Sequence, residues 1–187
     1  EQIQNPEIIL YYLKAWCLIQ LGRNEEAAGV IKTAEQKQPG CCFPNQLEAI
    51  LALQAAMQLV DHTPKAAYLL GNLWYDKRQY AEAIACWEQS KQLDDTFPTI
   101  LRNLSLAYFN KLDKKEEAIL LLEKAFALDT TDARILMEID QLYKRLNRPH
   151  QERLAFLDKY KEIVWKRDDL YLEYVTLLNQ LGCYNEA

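Results

Sequence analysis

Glycine and proline are scarce in this chain, five and six among 187 residues, so it lacks the punctuation that short strands and tight hairpins require. Alternating runs of Val and Thr are sparse as well. Leu, Ala, Glu, Lys and Gln dominate instead, and these are good helix formers. No apolar run reaches the roughly eighteen residues of a membrane-spanning helix. Positive charge is in deficit, with 22 Lys and Arg against 27 Asp and Glu and a formal net charge of −5. A duplex-binding protein needs a basic face to displace phosphate counterions, so nucleic acid is not an expected partner. Only two histidines are present, His62 and His150, and the five cysteines (Cys17, Cys41, Cys42, Cys86, Cys183) form no Cys-x-x-Cys pair. A zinc site needs about four closely spaced ligands, so no metal is expected. The odd cysteine count fits reduced thiols, the vicinal Cys41-Cys42 pair included. The opening Glu1-Gln2-Ile3-Gln4-Asn5-Pro6 has neither the basic start nor the apolar core of a signal peptide. These absences predict an all-α, cytoplasmic protein with no cofactor.

Catalytic constellations are missing too. No Gly-rich phosphate loop occurs, and His150 follows Pro149 without an evident serine or cysteine partner. Glu82, Glu116 and Glu117 fall on polar helix faces near turns, not in a marked pocket. The expectation is therefore that the chain is not an enzyme.

What the sequence does contain is a period. Ala67-x-x-Leu70-Gly71-x-x-Trp74 is followed by Tyr80, then Ala83-x-x-x-Trp87 and Leu93-Asp94. The pattern returns as Leu101-x-x-Leu104-Ser105-x-x-Tyr108, Ala118-x-x-x-Leu122 and Leu128-Asp129, and again as Leu136-x-x-Ile139-Asp140-x-x-Tyr143. A last copy begins Tyr171-x-x-Tyr174-Val175-x-x-Leu178. Ala49, Ala83, Ala118, Glu152 and Ala187 are spaced by 34, 35, 34 and 35 residues. The extra residue in the second step fits an insertion in the turn Lys111-Leu112-Asp113-Lys114-Lys115. Within each copy, apolar residues at helical spacing predict two amphipathic helices joined by a polar turn. One such hairpin cannot bury its own apolar face, so a core requires stacking on neighbours.

The run LGNLWYDKRQYAEAIACWEQSKQLDD resembles a tetratricopeptide repeat, with the Leu-Gly, aromatic and Ala positions in the family's places. The resemblance covers residues 64 to 187, and residues 6 to 39 less fully, where Ala15, Leu18, Gly22, Ala27, Ile31, Ala34 and Pro39 fit. It implies a right-handed α-α superhelix of about four helix pairs. Asp140 and Val175 at the small position and Glu152 at the alanine position depart from the pattern and predict looser local packing. The wording YDKRQYAEAI and LYKRLNRP is also similar to the repeat segment of long bacterial proteins carrying the DUF5107 domain of unknown function, whose repeats follow a carbohydrate-related region.

One solenoid domain over residues 1–187 is expected. Its repeats would occupy 6–39, 64–97, 98–131 and a degenerate 133–165, with the first helix of a truncated repeat at 168–187. Ala27 to Ala49 is only twenty-two residues, twelve short of a repeat, and Gln38-Pro39-Gly40-Cys41-Cys42-Phe43-Pro44 interrupts it. A helix capped by Asn45 is predicted at 45–60, either unpaired with a change of stacking or a short linker under the same superhelix. At the other end Tyr174, Leu177, Leu178 and Leu181 would lack a covering helix. That predicts an excised segment and offers a face for a homodimer.

In the family, the first helices of successive pairs line a concave groove that receives a peptide or a helix. By this resemblance the groove residues would be Tyr68, Asn72, Tyr75 and Asp76, then Arg102, Asn103, Leu106 and Phe109. The third set would be Arg134, Met137, Gln141, Lys144 and Arg145. Asparagine amides can donate to and accept from a peptide backbone, and arginine can grip a carboxylate. Asn72, Asn103 and Arg134 match three of five positions of a carboxylate clamp in chaperone-binding members. Tyr68 and Glu138 stand where that clamp requires basic residues, so the clamp itself is not expected. Arg102, Arg134, Lys144 and Arg145 would favour an acidic partner. The leading expectation is a protein-interaction scaffold. The alternative is an accessory or assembly region of a carbohydrate-active bacterial enzyme.

Overall fold

The computed structural model describes residues 7–40 and 42–185. Cys41 and hence the vicinal pair, the opening Glu1–Pro6 and the terminal Ala187 lie outside the described residues. Among the described residues there are eleven helices and no strand, as the composition predicts. They are α1 (Ile8–Gln20), α2 (Asn24–Glu35), α3 (Leu47–Leu59), α4 (Pro64–Asp76), α5 (Tyr80–Leu93), α6 (Pro98–Lys111), α7 (Lys115–Leu128), α8 (Ala133–Arg145), α9 (His150–Asp158), α10 (Lys161–Val164) and α11 (Asp168–Gln180). None is long and apolar enough to cross a membrane. The chain divides into two compact units within α6, between Ala107 and Tyr108.

In the first unit α1 pairs with α2 and α4 with α5, and α3 lies against both α1 and α4. Gln46 rather than Asn45 precedes α3, and no side chain caps it, so the cap expected at Asn45 is not made. Alanine carries the close contacts: Ala15, Ala27, Ala34, Ala49, Ala52, Ala56, Ala66, Ala67 and Ala83 are all buried. A polar tie crosses the irregular segment between α2 and α4. The Glu35 carboxylate accepts the Lys65 and Ala66 amides at the start of α4 (2.9 and 3.1 Å) and the Tyr12 hydroxyl (2.6 Å). Lys65 Nζ returns to the Glu35 carbonyl. Thr63 caps α4 with no side-chain bond of its own, so Glu35 supplies the anion that a helix N-terminus favours.

In the second unit α8 packs on α7 and α9, and α11 packs on α9 and α8. Of the four residues expected to stand uncovered, Tyr174, Leu177 and Leu178 are buried, which corrects that expectation for them, while Leu181 is partly exposed. The face of α11 that carries them is the one turned to α9 and α8. The exposed large apolar side chains near this end are Trp165, Tyr171, Leu172 and Tyr184 instead.

The turn between the helices of each hairpin repeats one conformation. Gly22, Arg78, Asp113, Asn147 and Gly182 occupy it, all with φ between 55° and 78°. The amide one residue later reaches back to a carbonyl in the last turn, as in Arg23 to Leu18 (2.9 Å), Gln79 to Trp74 (2.9 Å) and Arg148 to Tyr143 (3.0 Å). This is the left-handed C-terminal stop that glycine fits best. At Asp113 the corresponding bond runs from Lys114 to Tyr108 (3.1 Å), spanning one residue more, so the extra residue of the 35-residue step sits in this turn.

The small position of the repeat is filled in two ways. Gly71 lets Trp87 approach, and a Cβ there would lie 2.5 Å from the indole Nε1. At the same position in the third copy stands Asp140, expected to loosen the packing. It is 1 % exposed and bound in two places by Arg153, itself 2 % exposed, through Nε (2.9 Å) and Nη2 (2.6 Å). Arg153 Nη2 also reaches Glu173 (2.7 Å), which Lys144 Nζ contacts at 2.8 Å. A charged network has replaced the small residue, so the packing is tight. Burial pushes the Asp140 carboxyl up despite Arg153. Burial acts the same way on Glu173, but the bonds from Arg153 and Lys144 outweigh it and hold that carboxyl low.

Two stability predictions follow from this geometry. Arg78→Gly removes a left-handed arginine, and urea unfolding should show a gain of roughly 0.5–1 kcal/mol. A loss would mean that the turn is not strained. Asp140→Asn should cost about 3–5 kcal/mol, because it leaves a buried guanidinium short of its counter-charge. The double change Asp140→Gly, Arg153→Ile restores the residues found at Gly71 and Ile84 and should recover most of that loss. A double variant no more stable than the single one would show that the pair contributes net stability.

Candidate functional site

The first unit places a built polar cluster beside a cavity. It begins with Trp87, whose indole N–H can only donate. From its place over Gly71 on α4 it donates to the Tyr68 carbonyl (3.3 Å) and to Asn72 Oδ1 (3.1 Å). A donor on that side fixes the orientation of the Asn72 amide. Asn72 Oδ1 accepts a second bond from Asn103 Nδ2 (3.2 Å), and Asn103 Oδ1 accepts from Arg102 Nη1 (3.5 Å). Asn72 Nδ2 is left buried with no hydrogen-bond partner. Burial raises the pKa of the nearby Tyr68 hydroxyl, and the Asn72 side chain pulls it part of the way back.

A cavity of about 320 Å³ opens on this cluster. Asn72, Tyr75, Asp76, Trp87, Arg102, Asn103 and Leu106 line it, together with Phe43 from the irregular segment before α3. Tyr75 leans on Trp87 (ring centroids 5.3 Å apart) and meets Tyr80 edge-on (5.1 Å). Phe43 is 72 % exposed although its neighbours Cys42 and Pro44 are buried.

Of the thirteen expected groove residues, this cavity brings together Asn72, Tyr75, Asp76, Arg102, Asn103 and Leu106. Tyr68 is buried instead, packed edge-on against Phe97 with centroids 5.0 Å apart. The remaining six, Phe109, Arg134, Met137, Gln141, Lys144 and Arg145, belong to the second unit. Arg145 stacks over the Phe109 ring (5.6 Å), Arg134 pairs with Glu138 (3.4 Å), Gln141 is exposed, and Lys144 pairs with Glu173. Arg134 and Lys144 thus each have an acidic neighbour within their own unit. Lys144 also lines a separate cavity, near the start of α9.

Sequence reasoning gave no site role to Phe43 or to Trp87. Trp87 is buried, yet it also lines the cavity. The only sign of Phe43 was an aromatic residue set among prolines and a glycine, where a bland loop has no use for it.

Gly71→Ala tests how far the cluster depends on the helix approach. Alanine is the better helix former by about 1 kcal/mol, but overpacking against a buried indole costs roughly 1–3 kcal/mol or more. Thermal unfolding should show a net loss together with a change in Trp87 fluorescence. An unchanged or higher melting temperature would mean that the contact yields easily.

Comparison with known proteins agrees with the fold. Residues 64–97 match the family model of the tetratricopeptide repeat. The structure is similar to that of MamA, with a TM-score of 0.63 and 19 % identity over 96 % of this chain and 86 % of that one. It is similar to YrrB, described as a TPR protein with an unusual peptide-binding site, with a TM-score of 0.58 and 16 % identity over 92 % and 76 %. A tetratricopeptide repeat protein from Parabacteroides merdae matches with a TM-score of 0.54 and 18 % identity over 97 % and 63 %. Neither the family match nor these structures bear on the likeness to the bacterial DUF5107 proteins. At such identities the likeness is one of fold, and the chain has the all-α fold of tetratricopeptide-repeat proteins, with one repeat matched in sequence at residues 64–97.

Proposed function

We propose that the chain is a protein-interaction scaffold that holds a segment of a partner polypeptide in the cavity of its first unit. The observation that carries this reading is the buried Asn72 Nδ2, an N–H donor without an acceptor at the edge of an open cavity. Leaving such a group unpaired costs about 1–3 kcal/mol, a cost that a ligand carbonyl would remove on binding. Peptide backbone offers carbonyls at regular intervals. Arg102 and Asp76 give the cavity one charge of each sign, which suits backbone dipoles better than a strongly charged ligand. Phe43, Tyr75 and Leu106 provide apolar surface for a side chain of the bound segment.

A displayed library of random peptides selected on the whole chain tests this. Binders should lose affinity by about tenfold or more with Asn72→Ala, and by a similar factor with Phe43→Ala. Phe43 is so exposed that its removal should leave the melting temperature unchanged, which separates loss of binding from loss of fold. Binders that ignore both substitutions would place recognition on another surface and defeat the proposal.

A further inference from the structure

A second cavity, of about 560 Å³, lies in the second unit where α8 ends and α9 begins. Its lining includes Lys144, Arg148, His150, Gln151 and Arg153, and it contains no carboxylate. The acids of this region do not line it but pair with its cations: Asp140 is buried against Arg153, Glu173 bridges Arg153 and Lys144, and Glu152 meets Arg148 at 3.4 Å. Two features make it more than a basic surface. Arg153 commits Nε and Nη2 to Asp140 and Glu173, while Nη1 makes no hydrogen bond among the described residues. This side chain is 2 % exposed and still lines the cavity. Independently, α9 is nine residues long and opens at Pro149 with no side-chain cap. Its first intrahelical bond is that of the Arg153 amide, so the amides of His150, Gln151 and Glu152 have no acceptor within the helix.

We infer that this cavity binds a phosphate group through Arg153, Arg148, Lys144 and the free amides at the start of α9. Donors that arrive from the end of one helix, a turn, the start of the next helix and a buried guanidinium suit a tetrahedral oxyanion. A planar carboxylate would use only part of them. The turn geometry supports the placement. Asn147 at φ 56° stops α8 and sets Arg148 between the two helices, where its guanidinium stacks over Tyr143 at 5.8 Å. This site is separate from the proposed peptide cavity and does not depend on it.

The test is a titration of the chain followed by amide resonances of His150 and Gln151, at constant ionic strength. The probes are inorganic phosphate, acetate, sodium chloride and a phosphoserine peptide. Saturable shifts with phosphate, weakened about tenfold by Arg148→Ala, are expected. Arg167→Ala, which removes a partly exposed cation paired with Asp169 elsewhere in the unit, should leave them unchanged. Tighter binding of the phosphoserine peptide than of phosphate would mark a phosphorylated polypeptide as the source, and equal binding a small phosphate compound. Shifts that follow chloride or acetate equally well, or that survive Arg148→Ala, would overturn the inference.

Discussion

The approach of two helices at one small residue governs the first unit. Where α4 presents Gly71, the indole of Trp87 from α5 lies against bare backbone. It pays for the lost Cβ contacts by donating to the Tyr68 carbonyl and the Asn72 side chain. The polar chain of Asn72, Asn103 and Arg102 at the cavity follows from that contact. Because indole nitrogen only donates, Asn72 must turn its oxygen inward, and its NH₂ group is then the free one. Asn103 and Arg102 extend the same chain of bonds along α6. A side chain whose rotamer is locked by a neighbour in this way is held ready for a ligand, and binding need not order it first.

The second unit answers the same constraint with charge. Asp140 takes the place that Gly71 and Ser105 occupy, and Arg153 takes that of Ile84 and Ile119. A buried pair of this kind is seldom a gain in stability over apolar packing, because both ions give up water. Its retention makes sense if one partner has another use. Asp140 and Glu173 neutralise most of the Arg153 charge and hold its plane fixed, while one edge stays uncommitted next to a cavity. The same exchange has a local signature: charged residues at two positions of the repeat that are otherwise small or apolar.

Much of this was legible in the sequence, and the reasons for the remainder are physical. The period showed the helices, the hairpin turns and the site of the inserted residue, since packing repeats with the chain. The resemblance to the tetratricopeptide repeat, not the period itself, pointed to Asn72, Tyr75, Arg102 and Asn103, because in that family successive first helices present equivalent positions to one side. Tyr68 was harder to place. The same helical face that lines a cavity at Asn72 is covered by Phe97 one turn earlier, and periodicity does not register what lies across from a helix. Asp140 and Glu152 were read as blemishes. Position alone could not say that Asp140 would find its counter-ion in Arg153, one residue past the expected alanine. The buried face of α11 was misjudged because α9 already covers it.

Phe43 shows how a break in a repeat can add to function. An unbroken array would supply only residues from equivalent helical positions. The segment before α3 is irregular, so its side chains are not held to one helical face. Cys42 and Pro44 are buried, whereas Phe43 between them is exposed over a cavity lined by α4, α5 and α6. A phenylalanine left in water forgoes roughly 1.5–3 kcal/mol of available burial. A ligand side chain resting on the ring recovers it. The interruption that costs the chain one helix of a repeat thereby gives the cavity an apolar wall that no repeat position could provide.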